Sequence, residues 1–204
     1  RASADAQQVR DSFRHEWSLQ AEDRLVLMIG SGFRTKGLDR AIRAVAALPE
    51  ALRLHTRFIV IGQDKADAFV SLAQKLGINE RLQFLAGRDD IPRFLQGADV
   101  LIHPAYRENT GTVLLESAVA GLPVLTTAVC GYSTYIREHD CGIVIDEPFS
   151  QPALDRALLD MLQDENRRRQ WRANALHMAA TADIYSLFER AADIVMASAQ
   201  ERKP

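Results

Sequence analysis

The chain of 204 residues has little cysteine, with only Cys130 and Cys141. No CxxC pair or histidine-rich cluster stands beside them, so a zinc site is not expected. Buried thiols in a reducing compartment are the simpler interpretation. Long apolar runs are also missing: those present are of strand length, such as Leu25–Ile29, whereas a membrane-spanning helix needs ~20 apolar residues.

An excess of charge of either sign is missing too. The 25 Lys and Arg residues nearly balance the 27 Asp and Glu residues, for a net charge of -2. This excludes a nucleic-acid binder that neutralises many phosphates, although a local basic site for one small anion remains possible. No secretory signal opens the chain, and its first residue is Arg1. We expect the start to be a cut inside a longer protein, with residues 1–20 forming a linker or helix.

What the sequence does contain is an alternation of short apolar segments and amphipathic ones. The predicted strands are Leu25–Ile29, Phe58–Ile61, Arg81–Leu85, Val100–His103, Val124–Thr127 and Ile143–Ile145. The predicted helices are Leu38–Leu48, Ala66–Leu76, Ile91–Gln96, Thr112–Ala120, Gln151–Leu162, Glu165–Ala179 and Ile184–Ala199. This pattern predicts an α/β fold, a Rossmann-like, doubly wound parallel sheet of about six strands. Ligands of such sheets bind at the carboxyl ends of the strands.

A glycine-rich loop, Gly30-Ser31-Gly32-Phe33-Arg34-Thr35-Lys36-Gly37, follows the first strand. Its glycines allow close backbone approach, and Arg34 and Lys36 add positive charge beside a helix start, which suits a phosphate or diphosphate. The spacing matches neither the P-loop nor the dinucleotide-binding motif. The alternative is an ordinary glycine turn with solvated basic side chains.

Two glutamates, Glu108 and Glu116, bracket the predicted start of the helix after the fourth strand. The backbone amides of Gly111, Thr112 and Val113 should meet there in one concavity that suits phosphate oxygens. Ionised carboxylates only accept hydrogen bonds, so the glutamates suit the hydroxyl groups of a ribose or hexose. The alternatives are a solvated Glu108 and a Glu116 that stabilises the helix start.

Three neighbouring segments complete the same edge. In His103-Pro104-Ala105-Tyr106-Arg107, His103 either donates to a sugar hydroxyl or satisfies a hydrogen bond in the core. The loop from Thr126 to Tyr132 can contribute to the pocket, with packing the expected role of Cys130. Gly87-Arg88 is a further short loop where a base can stack.

These segments resemble a known family. Glu108 to Glu116, followed by Ser117 to Val124, resembles the Glu-x7-Glu segment of retaining glycosyltransferases of the GT-B fold, family 4. Lys36-Gly37-Leu38-Asp39 resembles that family's phosphate-contacting loop. The segments around His103 and Cys130 resemble the family's lipopolysaccharide-core glucosyltransferases. The resemblance runs from about Leu25 to the C-terminus. One departure is Ser31, where many members carry an arginine; Arg34 is the candidate substitute.

The resemblance implies a role for each of these residues. Lys36 would neutralise the departing diphosphate, Glu108 would contact the donor sugar, Glu116 would hold the ribose and Arg88 would lie near the uracil. Lys36 and Glu108 are the catalytic candidates, although the family's usual proposal is front-face attack without a protein nucleophile. The full set of predicted donor-binding residues is Gly32, Arg34, Lys36, Arg88, His103, Glu108, Gly111, Thr112, Val113 and Glu116.

The resemblance also implies a domain organisation and an activity. Residues 21–180 would be the nucleotide-sugar-binding domain and residues 181–204 a helix that crosses back to a missing N-terminal half. The expected reaction moves glucose from UDP-glucose to a heptose of the lipopolysaccharide inner core, at the inner face of the bacterial cytoplasmic membrane. No metal or cofactor is expected, and acceptor and membrane contacts would lie in the missing half. The alternatives are another sugar-nucleotide enzyme that uses GDP-mannose or UDP-GlcNAc, an epimerase, and a non-catalytic nucleotide-binding or interaction domain.

Overall fold

The structure is a computed structural model and describes residues 6–182. Its strands are β1 Arg24–Ile29, β2 Thr56–Ile61, β3 Leu82–Leu85, β4 Val100–His103, β5 Val124–Thr127 and β6 Gly142–Ile145. Its helices are α1 Ala6–Glu16, α2 Leu38–Ala46, α3 Glu50–Leu54, α4 Asp67–Lys75, α5 Ile91–Gly97, α6 Thr112–Val119, α7 Ser133–Glu138, α8 Gln151–Gln163 and α9 Glu165–Thr181.

The strands form one parallel sheet in the order β3-β2-β1-β4-β5-β6. The chain builds outward from β1 to β3, returns to the centre, and builds outward again from β4 to β6. This doubly wound order confirms the predicted Rossmann-like fold. It also creates a switch point between β1 and β4, the position at which sheets of this kind bind their ligands.

Both faces of the sheet are covered by helices, as the apolar strands require. Successive residues of β1 point to opposite faces, so Val26 and Met28 join one buried cluster while Leu25 and Leu27 join the other. The helical residues of the first cluster come mainly from α2, α4 and α8, and those of the second mainly from α1, α5, α6 and α9. Cys130 and Cys141 are buried and unpaired, which confirms that they are packing residues here.

Two helices are absent from the prediction, and the ends of the other predicted helices within residues 6–182 lie within two residues of it. Two short helices, Glu50–Leu54 and Ser133–Glu138, were not predicted, because five or six residues are too few to show a helical apolar period. Helix α2 ends at Ala46 rather than at the predicted Leu48, since Pro49 disfavours helical backbone in the residue before it.

The segment predicted as linker or helix, residues 1–20, contains helix α1. Its Phe13 is 1% exposed and packs edge-on against Phe94 of α5, with ring centroids 5.0 Å apart. Helix α1 therefore packs on the sheet and contributes Phe13 to the second cluster. The predicted helix Ile184–Ala199 lies outside the described residues, as does most of the interval 181–204.

Candidate functional site

The glycine loop after β1 folds into a turn that is held by a backbone hydrogen bond and by contacts of Phe33. The Lys36 amide donates to the Gly32 carbonyl across 3.0 Å. Between them, the buried Phe33 ring packs against Phe69, and the Phe33 amide donates to the carboxylate of Asp64 at 3.0 Å. Asp64 was not predicted as part of the loop. These contacts hold the loop so that Lys36 returns toward the sheet edge.

The Lys36 side chain lies directly over Gly30. A Cβ atom built on Gly30 would lie 2.8 Å from Cε of Lys36, and the φ of Gly30 is 117°. A larger residue is therefore disfavoured both by the contact with Lys36 and by the backbone conformation. The Lys36 ammonium reaches the loop after β4, where Nζ lies 2.6 Å from Oε2 of Glu108. This pair joins the two loops that border the switch point.

His103, at the end of β4, contacts the same carboxylate oxygen. Its ring is fully buried, and Nε2 lies 3.2 Å from Oε2 of Glu108. An ionised carboxylate only accepts, so this contact assigns the proton to Nε2 and leaves Nδ1 unprotonated. Within residues 6–182 no group hydrogen-bonds to that buried Nδ1. The structure therefore shows His103 in a hydrogen bond within the protein, to Glu108. Its donation to a sugar hydroxyl stays a prediction.

In this Lys36–Glu108–His103 cluster, the pKa values of His103 and Glu108 are shifted by burial and charge. Burial, and then the charge of Lys36, lower the pKa of His103 to about 4, against the opposite effect of Glu108. Burial alone would raise the pKa of Glu108, but the hydrogen bond and charge of Lys36, helped by His103, hold it below its ordinary value. At neutral pH Glu108 is therefore a carboxylate and His103 a neutral imidazole.

The loops after β1 and β4 meet along their backbones. A Cβ atom on Gly37 would lie 2.0 Å from the carbonyl oxygen of Pro104, and Gly37 has a φ of 76°. Two residues further on, the Tyr106 amide donates to the Thr35 carbonyl across 2.8 Å. The close approach fixes how far Lys36 stands from Glu108.

Arg40 of α2 supports the β4 loop and was not predicted from the sequence. Its guanidinium lies between the rings of Tyr106 and Phe149, 3.5 Å from each centroid. It donates to the carbonyls of Pro104 and Ala105, at 3.2 and 3.0 Å. The only sequence signal was an arginine on the otherwise apolar face of α2.

The amino end of α6 lies next to Glu108. Gly111 precedes the helix in a left-handed conformation, and a Cβ atom there would lie 3.4 Å from Cγ of Glu108. In the described part of the chain, no carbonyl or side chain accepts from the amides of Gly111, Thr112 and Val113. The three predicted donors therefore share one helix end, beside the carboxylate predicted to contact the sugar.

Glu116 follows on the second turn of α6. Its side chain is exposed, and it has no hydrogen-bond partner among residues 6–182. The structure thus places Glu116 on the helix that supplies the amides, with both carboxylate oxygens available. Its contact with a ribose stays a prediction.

Two predicted basic residues lie apart from the cluster. Arg88, after β3, pairs with Asp90 through contacts of 2.6 and 2.8 Å. Arg34 lines a cavity of about 770 Å³ together with Tyr106 and Arg107. Among the described residues, no hydrogen bond or ion pair joins either arginine to the Lys36–Glu108–His103 cluster. Their roles at the uracil and the diphosphate stay predictions.

The end of β5 supports the end of β4 and the loop that follows it. The Thr126 hydroxyl donates to the His103 carbonyl and the Thr127 hydroxyl to the Ala105 carbonyl, each across 3.0 Å. Cys130 is 1% exposed, which agrees with its predicted packing role. Both threonines thus hold the strand end that carries His103.

The described residues 6–182 contain no group of three His, Cys, Asp or Glu side chains placed to hold a metal ion. In that same range no helix is both long and apolar enough to cross a bilayer. Within residues 6–182, the positive charge next to Glu108 comes from the Lys36 side chain and from the partial charge at the amino end of α6.

The carboxyl edge of the sheet at the switch point carries a lysine, two glutamates and an open helix end, a set of groups that suits an anionic group joined to a hydroxyl-rich one. Comparison with known families agrees: the model of the glycosyl transferases group 1 matches residues 9–178. The chain belongs to this family, and its fold is that of the C-terminal domain of a GT-B glycosyltransferase.

Particular relatives can also be named. The chain is 49% identical over 186 residues to the lipopolysaccharide glucosyltransferase WaaG of Escherichia coli K12, covering 91% of this chain and 50% of that protein. The crystal structure of WaaG, a glycosyltransferase involved in lipopolysaccharide biosynthesis, superposes with a TM-score of 0.89 at 46% identity, covering 95% of this chain and 54% of WaaG. Anabaena HepE, solved with UDP and glucose, shares the fold with a TM-score of 0.80 at 20% identity, over 96% of this chain and 53% of HepE. The chain thus spans about half the length of these relatives.

Proposed function

We propose that this chain is the donor-binding half of a retaining glycosyltransferase of lipopolysaccharide biosynthesis, with UDP-glucose as donor and a heptose of the inner core as acceptor. The observation that carries the proposal is the Lys36–Glu108–His103 cluster beside the open amide end of α6, at the switch point of the sheet. The identity to WaaG, which is named a lipopolysaccharide glucosyltransferase, supports the choice of donor and pathway.

The diphosphate of the donor lies between Lys36 and the amide end of α6 in this proposal. As the bond between the sugar C1 and the phosphate oxygen breaks, negative charge develops on the departing UDP. Fixed donors that already point at that position stabilise the transition state without reorganising, which is the largest single catalytic contribution in many enzymes. No metal or cofactor is included in the proposal.

Glu108 can bind the sugar without releasing Lys36. Both Lys36 and His103 contact its Oε2, and among the described residues none donates to Oε1. Oε1 is therefore available to accept from a sugar hydroxyl, while Oε2 keeps the lysine in place. Because the pKa of Glu108 is held below its ordinary value, the carboxylate stays ionised and remains an acceptor.

Retention of configuration needs attack from the face that UDP leaves, or else a covalent intermediate. Glu108 is tied to Lys36 and His103, which leaves it better suited to positioning than to nucleophilic attack. We therefore propose front-face attack by the acceptor hydroxyl: its oxygen forms the new bond to C1, the departing phosphate oxygen of UDP takes the electron pair of the broken bond, and the hydroxyl proton passes to that phosphate oxygen.

The acceptor and membrane contacts are assigned to the half of the relatives that this chain does not span. In this proposal the complete enzyme works at the inner face of the bacterial cytoplasmic membrane, where its lipid-linked acceptor is presented. The proposed donor site lies within the predicted nucleotide-sugar-binding domain, residues 21–180.

Calorimetric titration of the chain with UDP, UDP-glucose, GDP-mannose, UDP-GlcNAc and NAD tests the donor assignment. We expect UDP and UDP-glucose to bind, and GDP-mannose, UDP-GlcNAc and NAD to bind at least about tenfold more weakly. Glu116→Ala and Lys36→Gln should each weaken UDP binding by about tenfold or more, because hydrogen bonds to charged groups contribute roughly 1.5–3 kcal/mol.

Glu138→Ala is the matched control, since Glu138 is also exposed but lies at the end of α7. It should leave UDP binding unchanged. Preferential binding of GDP-mannose or UDP-GlcNAc would keep the enzyme class and replace the donor. Binding of NAD alone, or equal loss in Glu116→Ala and Glu138→Ala, would overturn the site.

A further inference from the structure

A second charged cavity, of about 350 Å³, lies far from the candidate site. The arginines that line it are Arg10, Arg14, Arg24, Arg168, Arg169 and Arg172. The carboxylates that line it are Asp99 and Glu165. In a chain whose net charge is -2, this is a local excess of four positive charges among the described lining residues.

This arginine cavity opens at the amino edge of the sheet. Arg24 is the first residue of β1, Asp99 precedes β4 and Pro123 precedes β5. The Lys36–Glu108–His103 cluster lies at the opposite, carboxyl edge. Strands of up to six residues rise ~3.3 Å per residue, so roughly 20 Å of sheet separates the two sites.

Most of these arginines are held in place by neutral acceptors. Arg168 donates to the carbonyls of Met161 and Leu162, at 2.6 Å each. Arg24 donates to the carbonyls of residues 21–23. Carbonyl oxygens order a guanidinium without cancelling its charge, so the positive charges are fixed and remain largely uncompensated.

The two carboxylates are already engaged. Buried Asp99 accepts from Arg10 at 2.6 Å, from Arg14 at 3.2 Å and from the Leu25 amide at 2.7 Å. Glu165 pairs with Arg169, one turn further along α9. Neither carboxylate hydrogen-bonds to Arg168 or Arg172.

Arg172 has no hydrogen-bond or ion-pair partner among residues 6–182, although its stem passes Gly121 and is partly buried. Burial, and then the charge of Arg10, lower the pKa of Arg172. Burial, and then the charge of Arg24, lower the pKa of Arg168. Both guanidiniums therefore stand in surroundings that disfavour their charge, and no carboxylate of residues 6–182 forms an ion pair with either.

We propose that the arginine cavity binds a phosphate-bearing anion with at least two negative charges. Guanidinium forks match the oxygens of a phosphate in pairs, and several of them converge here on one small volume. The shared chemistry is a phosphate group, whose source is either a soluble phosphorylated compound or a phospholipid headgroup. The site is separate from donor binding and adds a second ligand to the proposed function.

The test is calorimetric titration of the chain with pyrophosphate in low salt, with UDP present to fill the donor site. In a second arm, the chain is sedimented with vesicles of phosphatidylglycerol or of phosphatidylcholine. We expect binding in at least one arm. The double variant Arg169→Gln/Arg172→Gln should weaken it by more than about tenfold, since both lost contacts are to a charged group.

Two comparisons make the result specific. Arg43→Gln/Arg156→Gln removes two exposed arginines from α2 and α8 and should leave binding unchanged. Glu165→Gln removes the carboxylate that competes for Arg169 and should tighten binding, which a damaged fold would not do. UDP affinity should be the same in every variant.

Pyrophosphate binding would assign a soluble ligand, and selective sedimentation with phosphatidylglycerol would assign a membrane headgroup. No binding in either arm would overturn the proposal. Binding that the Arg169→Gln/Arg172→Gln variant retains would overturn it too. If the unaltered chain binds pyrophosphate or vesicles but not UDP, the donor-site proposal is wrong and the arginine-cavity proposal stands.

Discussion

Glu108 receives two hydrogen bonds on a single oxygen, and this asymmetry organises the candidate site at the scale of residues. Lys36 and His103 both contact Oε2, so the Glu108 carboxylate compensates the lysine charge. A diphosphate that binds next to Lys36 does not meet a bare cation, and the lysine needs no large movement to reach it. The Glu108 carboxylate thus holds the Lys36 side chain at the switch point of the sheet.

His103 should make the protein sensitive to acid. Its pKa in the folded protein is about 4, whereas an unfolded histidine titrates near 6.5, so between these values only the unfolded chain binds the proton. The free energy of unfolding should therefore fall as the pH is lowered from about 6.5 to about 4. Each pH unit corresponds to about 1.4 kcal/mol, or about 3 kcal/mol over the window. Urea unfolding at a series of pH values measures this slope.

The variant His103→Gln removes the titrating ring and should flatten this dependence, even if it is less stable at every pH. His177→Gln changes an exposed histidine of α9 and should keep the slope of the unaltered protein. The lowered pKa of Glu108, whose main lowering cause, Lys36, all three proteins keep, affects the free energy of unfolding only below the ordinary carboxylate range. Equal slopes for all three proteins would contradict the assignment of His103 as a buried neutral ring.

At the scale of elements, the site depends on how closely the loop before α2 approaches the loop after β4. Gly37 sits at the contact, with the Pro104 carbonyl where its side chain would be. Arg40, three residues later in α2, donates a hydrogen bond to the same Pro104 carbonyl. One short stretch of α2 therefore sets the position of the β4 loop, which in turn carries Glu108.

Gly37→Ala should destabilise the protein by roughly 2–4 kcal/mol and weaken UDP binding. The alanine must adopt a left-handed backbone, which costs roughly 1–2 kcal/mol, and it must also push Pro104 away from Lys36. Gly77→Ala separates these effects, since Gly77 has a φ of 71° and no atom within 4 Å of a built Cβ. It should show the backbone cost alone and bind UDP normally. Equal losses of stability and binding in the two variants would show that the contact with Pro104 does not matter.

The sequence predicts the elements better than their contacts. The strands were found because each is an apolar run bounded by glycine, proline or polar residues, a signal carried within a few neighbouring positions. The pairing of Lys36 with Glu108 spans 72 positions and depends on which strands lie side by side. Only the family resemblance linked them. Arg40 was missed because its partners, Tyr106 and Phe149, are brought together by tertiary packing alone.

At the scale of the whole molecule, the two edges of the sheet have different charge. The carboxyl edge carries the Lys36–Glu108–His103 cluster, in which one cation is matched by one carboxylate. The amino edge carries the arginine cavity, in which cations outnumber carboxylates. A net charge near zero therefore conceals a strongly positive region, and composition alone gave no indication of it. The separation lets one edge bind a donor while the other is free to meet a second anion.

Because this chain spans about half the length of its relatives, we expect it to bind the donor without efficient transfer. Holding two reactants in place is worth effective molarities of about 10⁵ M or more, and a lone donor site forfeits that advantage for the acceptor. Release of UDP from UDP-glucose, measured with a heptose-containing core acceptor, should be more than about a thousandfold slower for this chain than for a fusion with the amino-terminal half of E. coli WaaG. The fusion carrying Lys36→Gln should lose activity, which shows that the rate comes from this chain's site. Equal rates for the lone chain and the fusion would show that acceptor binding does not require the other half.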